Sequence, residues 1–508
     1  MARNTRTLYY GTFIDLPRKP EVPATAESAP VHKLSVNYGA LWVSGDGRIE
    51  GVDWTVVDEE GLRGLVGRMG WRVEGDEGGE GELVRIVRAR KETNEFFFPG
   101  FIDTHIHAPQ YPNTGIFGSS TLLDWLNKYT FPMESSFGDP ANPTTTPLRA
   151  HTVYNRIVSR TLSHGTTTAA YYATIHVPAT NLLASICHRR GQRALIGRVC
   201  MDNPQTCPAY YIDESPTAAL SATTACMQHI KALDPSASLI QPIITPRFAP
   251  SCTPATLRAL AQLASSTVPP TAIQTHISEN KGEVALVASL FPDAASYTDV
   301  YDAAGLLTPR TILAHAVHLS AVERETIAAR GAGVAHCPAS NSAISSGLCP
   351  VRWLVDGGVR VGLGTDVSGG YSASVLEAVR GACLVSRMVG FTEGEREGKG
   401  DREKISVEEG LYLATRGGAE VVGMEGVVGG FEVGMCWDAQ MVGLGEMPGE
   451  AKREGEEERV VGRMAGNVDI FGWELWEEKV AKWVWSGDDR NVRAVWVGGR
   501  LVYGGGQG

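Results

Sequence analysis

Residues 99–420 constrain the fold more than any other part of the chain, because short apolar segments alternate there with longer helical patterns. One such helical pattern is 251–264, where Pro254 suits the first turn. Strand–helix units repeated over about 300 residues predict an α/β fold, a TIM-like (β/α)8 barrel of parallel strands. The predicted strands are 165–171, 193–199, 239–245, 272–276, 311–314, 333–336 and 360–364.

The sequence FFFPGFIDTHIHAPQ, at residues 96–110, predicts the strand that begins this barrel. Apolar and polar residues alternate along it, which is typical of a strand on which His105 and His107 face the same side. Two imidazoles on one face can reach the same metal ion. Pro109 ends the strand, so the pair lies at its carboxyl end, where barrels carry their sites. Because a His-x-His pair also occurs by chance, this interpretation depends on further ligands.

Three later segments place metal-compatible side chains at the ends of predicted strands. The strand that ends at His276 is followed by Glu279, the next leads into His315, and a third ends at Asp366 on a glycine-rich loop. A carboxylate just beyond a histidine ligand can carry protons at a metal centre. Singly, His276 could be a core histidine, Glu279 a first-turn helix residue and Asp366 a cap. Their joint occurrence favours one metal site, while for His318 we favour a surface or supporting position.

The terminal segments predict a second, smaller β domain. Strand-like runs occur at 40–43 and 51–57 near the amino terminus and at 437–442 near the carboxyl terminus. Residues 492–497 and 500–503 flank a glycine pair and predict a hairpin. The simplest packing joins both ends of the chain into one small β-sandwich.

The division into domains follows from this change of pattern. We expect residues 1–97 to form the N-terminal part of the β-sandwich, 98–422 the metal-dependent hydrolase barrel and 423–508 the C-terminal part of the sandwich. Glycine- and glutamate-rich residues at 75–82 and 445–458 predict exposed loops.

The composition argues against several classes of protein. A formal net charge of −11 disfavours a nucleic-acid partner. No apolar run is long enough to span a bilayer, and the charged amino terminus lacks a signal peptide, so we expect no membrane partner. The nine cysteines contain no C-x-x-C pair and suit free thiols in a reducing compartment. We therefore expect a cytoplasmic globular protein.

On these residues the chain resembles the amidohydrolase superfamily and, within it, the guanine deaminases. The superfamily pattern is PGFIDTHIH at 99–107 together with His276, His315 and Asp366. The narrower resemblance covers most of the barrel and rests on five motifs: HAPQY (107–111), LDWLNKYTFP (123–132), RFAP (247–250), HISEN (276–280) and GTDVSGGYS (364–372).

The resemblance implies one zinc ion per chain, held by His105, His107, His276 and Asp366. Three neutral imidazoles and a carboxylate are ligands that zinc accepts, with a place left for water. Binuclear members of the superfamily need a carboxylated lysine on a middle strand, and 239–247 contains no lysine. We therefore expect a single metal ion, with iron as the alternative to zinc.

The resemblance also implies an enzyme, a guanine aminohydrolase that converts guanine to xanthine and ammonia in purine catabolism or salvage. The implied catalytic residues are Glu279, His315 and Asp366. Glu279 would carry protons to a ring nitrogen and to the leaving amine, a contribution of about 10²–10⁴-fold. His315 would hold the attacking oxygen, and Asp366 would accept the proton of the water or orient the hydroxide.

The implied substrate-binding residues are Gln110, Arg247 and Phe248, with His107 and His276 beside them. Gln110 offers a donor and an acceptor to a base edge, and Arg247 can donate to a carbonyl oxygen. Phe248 offers an apolar face. For Arg247 the alternative is a salt bridge at the barrel rim.

Two other functions stay open at this point. The first is a related aminohydrolase acting on 8-oxoguanine, cytosine, a triazine or a modified adenosine, against which the motifs around Gln110 and Arg247 argue. The second is a catalytically inactive barrel that serves as a scaffold, against which the full set of ligands argues. Because the family is commonly homodimeric, we expect a homodimer.

Overall fold

The computed structural model describes residues 5–25, 28–75, 81–139, 141–394, 400–445 and 467–504. The predicted loops at 75–82 and 445–458 fall mostly outside these residues. Within the described residues, the strands form two sheets. The strands are β1 (Arg6–Asp15), β2 (Ser35–Val43), β3 (Ile49–Asp53), β4 (Trp71–Val73), β5 (Glu82–Arg88), β6 (Glu95–Pro99), β7 (Phe101–His107), β8 (Thr166–Tyr172), β9 (Arg193–Gly197), β10 (Val199–Cys200), β11 (Ile240–Pro246), β12 (Ala272–Ile277), β13 (Thr311–His315), β14 (Gly333–His336), β15 (Arg360–Leu363), β16 (Ala439–Gly443), β17 (Val492–Val497) and β18 (Arg500–Gly504).

The first sheet is the predicted barrel. Its parallel strands run in the order β7-β8-β9-β11-β12-β13-β14-β15, with β10 paired to β11. Hydrogen bonds join β7 to the residues that follow β15, since Asp366 N donates to His105 O at 2.9 Å and His107 N donates to Val367 O at 3.0 Å. The predicted (β/α)8 fold is confirmed, and each predicted strand ends within two residues of its observed bounds.

Helices cover the outside of the barrel. The predicted helix at 251–264 begins at Pro254, after Thr253, whose hydroxyl accepts a bond from Thr256 N at 3.3 Å. The α-helices are α1 (Glu59–Arg68), α2 (Leu122–Trp125), α3 (Phe131–Ser135), α4 (Leu148–Ser163), α5 (Val177–Arg190), α6 (Pro216–Leu233), α7 (Pro254–Ser265), α8 (Lys281–Leu290), α9 (Tyr297–Ala303), α10 (Ala321–Arg330), α11 (Pro338–Ala343), α12 (Val351–Asp356), α13 (Val375–Val389), α14 (Gly400–Glu403), α15 (Val407–Tyr412), α16 (Gly418–Val421) and α17 (Trp476–Ser486). No helix among the described residues is long and apolar enough to cross a membrane.

Apolar side chains from the barrel strands pack together inside the barrel. Because side chains alternate along a strand, each barrel strand sends part of its residues inward. One buried cluster contains a residue from each of seven strands: Ile102, Ala170, Leu195, Ile243, Ala272, Ile312 and Ala335. This packing leaves the carboxyl ends of the strands as the place for polar groups.

The second sheet takes strands from both ends of the chain, as predicted for the small β domain. Its order is β18-β17-β16-β6-β1-β2-β3, with β5 paired to β1 and β4 to β5. Strand β6 joins the two ends, since it pairs parallel to β1 and antiparallel to β16. Gly100 separates β6 from the barrel, and a Cβ there would lie 2.2 Å from the Thr167 side chain. The domain boundary at 97/98 stays a prediction.

One predicted strand is wrong in its second half. Residues 51–57 have the composition of a strand, but β3 ends at Asp53. The Asp53 carboxylate accepts bonds from Thr55 N at 3.0 Å and Thr55 Oγ1 at 2.6 Å. Such a local bond offers the backbone a turn in place of the ladder.

A buried ion pair connects the two sheets and carries a stability prediction. Asp438 accepts two bonds from Arg193 on β9, at 2.8 and 2.9 Å, and a third from Gly498 N at 2.8 Å. Asp438→Asn leaves the Arg193 charge buried and unpaired, so we expect the free energy of unfolding in urea to fall by about 3 kcal/mol. The exposed pair of Arg330 and Asp302 gives the control, because Asp302→Asn should cost less than about 1 kcal/mol. Equal losses would contradict the prediction.

Candidate active site

The residues predicted to bind metal meet at the carboxyl end of the barrel. His105 and His107 stand at the end of β7, His276 near the end of β12, and Asp366 three residues beyond β15. His315 is the last residue of β13. Parallel strands bring these residues together although they are separated by up to about 260 positions in the chain.

The ligand atoms are close enough to share one ion. His107 Nε2 lies 3.1 Å from His276 Nε2. Asp366 Oδ1 lies 3.2 Å from His105 Nε2 and 3.5 Å from His107 Nε2. Two atoms bound to one zinc ion at tetrahedral angles are about 3.3 Å apart. The described residues therefore contain a His/Asp group able to hold a metal.

The hydrogen bonding of the imidazoles also fits a metal. His276 Nδ1 donates to Arg247 O at 2.5 Å, which directs its Nε2 toward the other ligands. Three buried imidazole nitrogens have no hydrogen-bond partner among the described residues: Nδ1 and Nε2 of His105 and Nδ1 of His107. Orphaned buried nitrogens are costly unless another group binds them. Burial lowers the pKa of all three imidazoles, which favours the neutral form that binds metal.

His315 is the fourth imidazole at this site. It forms a second possible metal group with His105 and His276. Its Nδ1 lies 2.9 Å from Asn341 Oδ1, and its Nε2 lies 3.4 Å from Glu279 Oε2. Burial lowers the pKa of His315, but the Glu279 and Asp366 carboxylates outweigh this effect and raise it. His315 therefore lies between the carboxylates of Asp366 and Glu279.

Glu279 is held in place from several sides. Its Oε1 accepts a bond from Ser346 Oγ at 2.9 Å, and its backbone N donates to Glu283 Oε2 at 2.8 Å. His318 Nε2 lies 2.7 Å from Ser346 O and so fixes the loop that carries this serine. Burial raises the pKa of the Glu279 carboxyl to about 7. A carboxyl with such a pKa can both take up and release a proton near neutral pH.

Two residues of the site have a strained backbone. Asp366 has φ 45° and His315 has φ 75°, both in the left-handed region that residues other than glycine rarely adopt. Asp366 stands on the loop that follows β15. Asp103 holds this loop, since it accepts bonds from Thr365 N at 3.0 Å and Thr365 Oγ1 at 2.5 Å. Asp103 is fully buried, and the burial raises its pKa to about 7. Asp103 lies inside the FIDTHIH motif but was not among the predicted site residues.

A narrow cavity opens over the metal group, and His107, His276 and Asp366 line it. All three side chains predicted to bind a base, Gln110, Arg247 and Phe248, line it together with Glu279. Its apolar wall consists of Leu122, Trp125, Leu126 and Ile344.

Arg247 lines the cavity and is also part of a buried ion pair. Its Nη1 and Nη2 donate to Glu134 at 2.6 and 3.0 Å, and both side chains are at most 2% exposed. The salt bridge considered as the alternative for Arg247 is thus present, but in the cavity wall. Glu134 lies two residues beyond the LDWLNKYTFP motif at 123–132 and was not among the predicted site residues.

Comparisons with known proteins agree with this geometry. The family model "Amidohydrolase family" matches residues 96–502. A probable guanine deaminase of Schizosaccharomyces pombe is 48% identical over 81% of this chain and 72% of that protein. The human guanine deaminase is 40% identical over 80% of this chain and 83% of that protein.

A solved structure extends the comparison to the whole chain. The crystal structure of the guanine deaminase from C. acetobutylicum, with bound guanine in its active site, has a TM-score of 0.77 at 28% identity and covers 98% of this chain and 100% of that one. The residues 96–502 matched by the family model contain the metal group, Glu279 and the cavity wall. The chain therefore belongs to the amidohydrolase family, with guanine deaminases as relatives over most of its length.

Proposed function

We propose that this protein is a zinc-dependent guanine deaminase, which converts guanine and water to xanthine and ammonia. The observation that supports this most strongly is a single cavity in which a His/Asp metal group, a proton-carrying carboxyl and two buried base-binding side chains meet. His105, His107, His276 and Asp366 would hold the zinc ion. When bound, zinc supplies a water whose pKa is lowered toward about 7.

The protons of the reaction can be carried by residues of the chain itself. Deamination breaks the bond between C2 and the amino nitrogen and leaves the oxygen of water on C2. Both protons of that water end on nitrogen, one on the ring and one on the departing amine. We assign both transfers to the Glu279 carboxyl, with His315 and Asp366 holding the attacking oxygen in place between them.

The cavity wall accounts for the substrate. Arg247 and Gln110 carry N–H groups that can donate to the acceptors of a purine edge, and Phe248 supports the ring face. Burial strengthens this selection, because a base that leaves these groups unpaired loses their binding free energy. The metal ligands His107 and His276 also line the cavity and would contact the bound base.

A direct assay tests the proposal. The purified protein is analysed for zinc, and guanine is then added while xanthine and ammonia are measured. We expect one zinc per chain, and we expect product formation to stop on chelation and return with zinc. If zinc is bound but no xanthine forms, the substrate assignment is wrong. A parallel panel of 8-oxoguanine, cytosine, a triazine and a modified adenosine would then identify a related aminohydrolase.

Substitution of Arg247 tests the base-binding assignment. We expect Arg247→Ala to raise the KM for guanine about 100-fold, because a buried charge-assisted contact is lost, while zinc content stays the same. Arg247→Lys keeps a cation beside Glu134 but loses the planar guanidinium, so its KM for guanine should lie between those of wild type and Arg247→Ala. Arg198 is equally buried, and its partner is Asp213, so Arg198→Lys is the matched control with an unchanged KM. An unchanged KM in Arg247→Ala would refute the assignment.

Three wider properties complete the proposal. We propose that the enzyme works in purine catabolism or salvage, that it acts in the cytoplasm and that it is a homodimer. All nine cysteines are free thiols and eight of them are buried, which supports a reducing compartment. The relatives support the metabolic role through their names as guanine deaminases.

A further inference from the structure

Glu134 lies at the centre of a buried network behind the cavity. It is on α3, and its side chain is fully buried. Its Oε1 accepts from Gln110 Nε2 at 2.8 Å and from Arg247 Nη2 at 3.0 Å. Its Oε2 accepts from Arg247 Nη1 at 2.6 Å and from Tyr211 Oη at 2.7 Å. Four donors thus surround one carboxylate.

This network leaves Glu134 no capacity to bind a substrate itself. A carboxylate has about four acceptor positions, and all four are filled. The Tyr211 hydroxyl accepts a bond from Ile175 N at 3.2 Å, so its own proton is directed to Glu134. Within the part of the chain that the structure describes, Gln110, Arg247 and Tyr211 therefore fill the acceptor positions of Glu134.

The network also fixes what the two base-binding side chains can offer. Gln110 Nε2 donates to Glu134, and Gln110 Oε1 accepts from Ser368 N at 3.3 Å. Turning this amide over would place its oxygen against the Glu134 carboxylate and its NH₂ against the Ser368 N–H, so both hydrogen bonds would be lost. The second N–H of Gln110 stays available as a donor, and Arg247 is a donor at every nitrogen.

We propose that Glu134 is the specificity-determining positioning residue of this site: it fixes Gln110 and Arg247 as donors, so that the cavity binds a base edge made of acceptors. A 6-oxopurine presents such an edge through O6 and N7, whereas a 6-aminopurine presents an N–H donor at position 6. Discrimination at the 6-position thus originates in a side chain that does not contact the base. This inference rests on the proposed function and adds the source of its selectivity.

The test compares guanine with 2,6-diaminopurine, which keeps the 2-amino group but carries an amine at position 6. In Glu134→Gln we expect the KM for guanine to rise about 100-fold with kcat within about tenfold of wild type and zinc unchanged. Because the amide at 134 lets Gln110 turn and releases Arg247, the preference for guanine over 2,6-diaminopurine in kcat/KM should fall at least about tenfold. An unchanged preference overturns the inference, even if KM rises.

The matched control is Glu409→Gln. Glu409 forms a comparable buried pair with Arg352, whose two terminal nitrogens lie 2.5 Å from its oxygens, but outside the cavity wall. This variant should unfold more easily and keep both the KM and the preference for guanine. A loss of preference equal to that of Glu134→Gln would attribute the effect to general destabilisation and overturn the inference.

A second variant keeps the test decisive if Glu134→Gln does not fold. Tyr211→Phe removes one of the four donors without changing charge, so the KM for guanine should rise about three- to tenfold at unchanged kcat. An unchanged KM and an unchanged preference overturn the inference. Failure of the proposed function would be seen separately, because wild-type protein would then form no xanthine. In that case calorimetry on zinc-loaded wild type and variant would compare the binding of guanine with that of 2,6-diaminopurine.

Discussion

Replacing Glu279 with glutamine is expected to lower kcat for guanine by about 10²–10⁴-fold while zinc and guanine still bind. Glutamine keeps the size of the side chain and can still accept the bond from Ser346, which lies 2.9 Å away. It cannot take up a proton and release it again. Since both protons of the water must reach nitrogen atoms of guanine, the chemical step loses its carrier, and single-turnover kinetics with measured zinc content check this.

The control for this variant is another buried glutamate whose role is structural. Glu323 caps α10, where it accepts bonds from Ser320 N at 2.9 Å and Thr298 N at 3.2 Å. Glu323→Gln should lower stability and leave kcat within about twofold of wild type. Near-normal turnover in Glu279→Gln with zinc still bound would remove Glu279 from the mechanism.

The metal group could be predicted from the sequence because each ligand lies at the end of an apolar strand. A run such as β12 alternates inward and outward residues, so His276 is fixed on the inner face as soon as the strand is recognised. Parallel strands then bring all such ends to one rim without any knowledge of the loops. His105 and His107 follow from the same rule, whereas Asp366 lies on the loop after β15 that Asp103 holds.

The cavity wall could be predicted only in part. Gln110 and Arg247 stand in the motifs HAPQY and RFAP, but the Glu134 carboxylate that accepts their hydrogen bonds comes from α3, 113 positions before Arg247. Whether a buried arginine faces a partner or a ligand depends on such tertiary contacts, which strand and helix periodicity does not contain. The strained backbone at Asp366 also depends on a tertiary contact, because the neighbouring Thr365 is held by Asp103 on β7.

Helix α17 shows a signal that the sequence analysis did not use. Its apolar residues Trp476, Val480, Trp483 and Val484 have helical spacing, yet no helix is predicted there. The adjoining glycine- and glutamate-rich residues obscure this pattern. In the structure Trp483 packs on Phe101, with ring centroids 5.8 Å apart, and so supports the start of the first barrel strand.

Removal of His105 should have the largest effect of any single substitution at this site. His105 belongs to both possible metal groups, and its two buried nitrogens have no hydrogen-bond partner among the described residues. We expect His105→Leu to lose its zinc and to lower kcat/KM by at least about 10⁴-fold. Metal analysis after dialysis and an assay for xanthine check both parts.

The same substitution separates a metal ligand from a structural histidine through stability. For each protein the free energy of unfolding is measured with and without zinc. With zinc at about 1,000 times its Kd, only wild type should gain about 4 kcal/mol. His336 is equally buried, also has two unpartnered nitrogens among the described residues and lies outside both groups, so His336→Leu should keep the zinc-dependent gain. If His105→Leu also kept this gain, the stabilising zinc ion would have to bind without His105, and the proposed ligand set would be wrong.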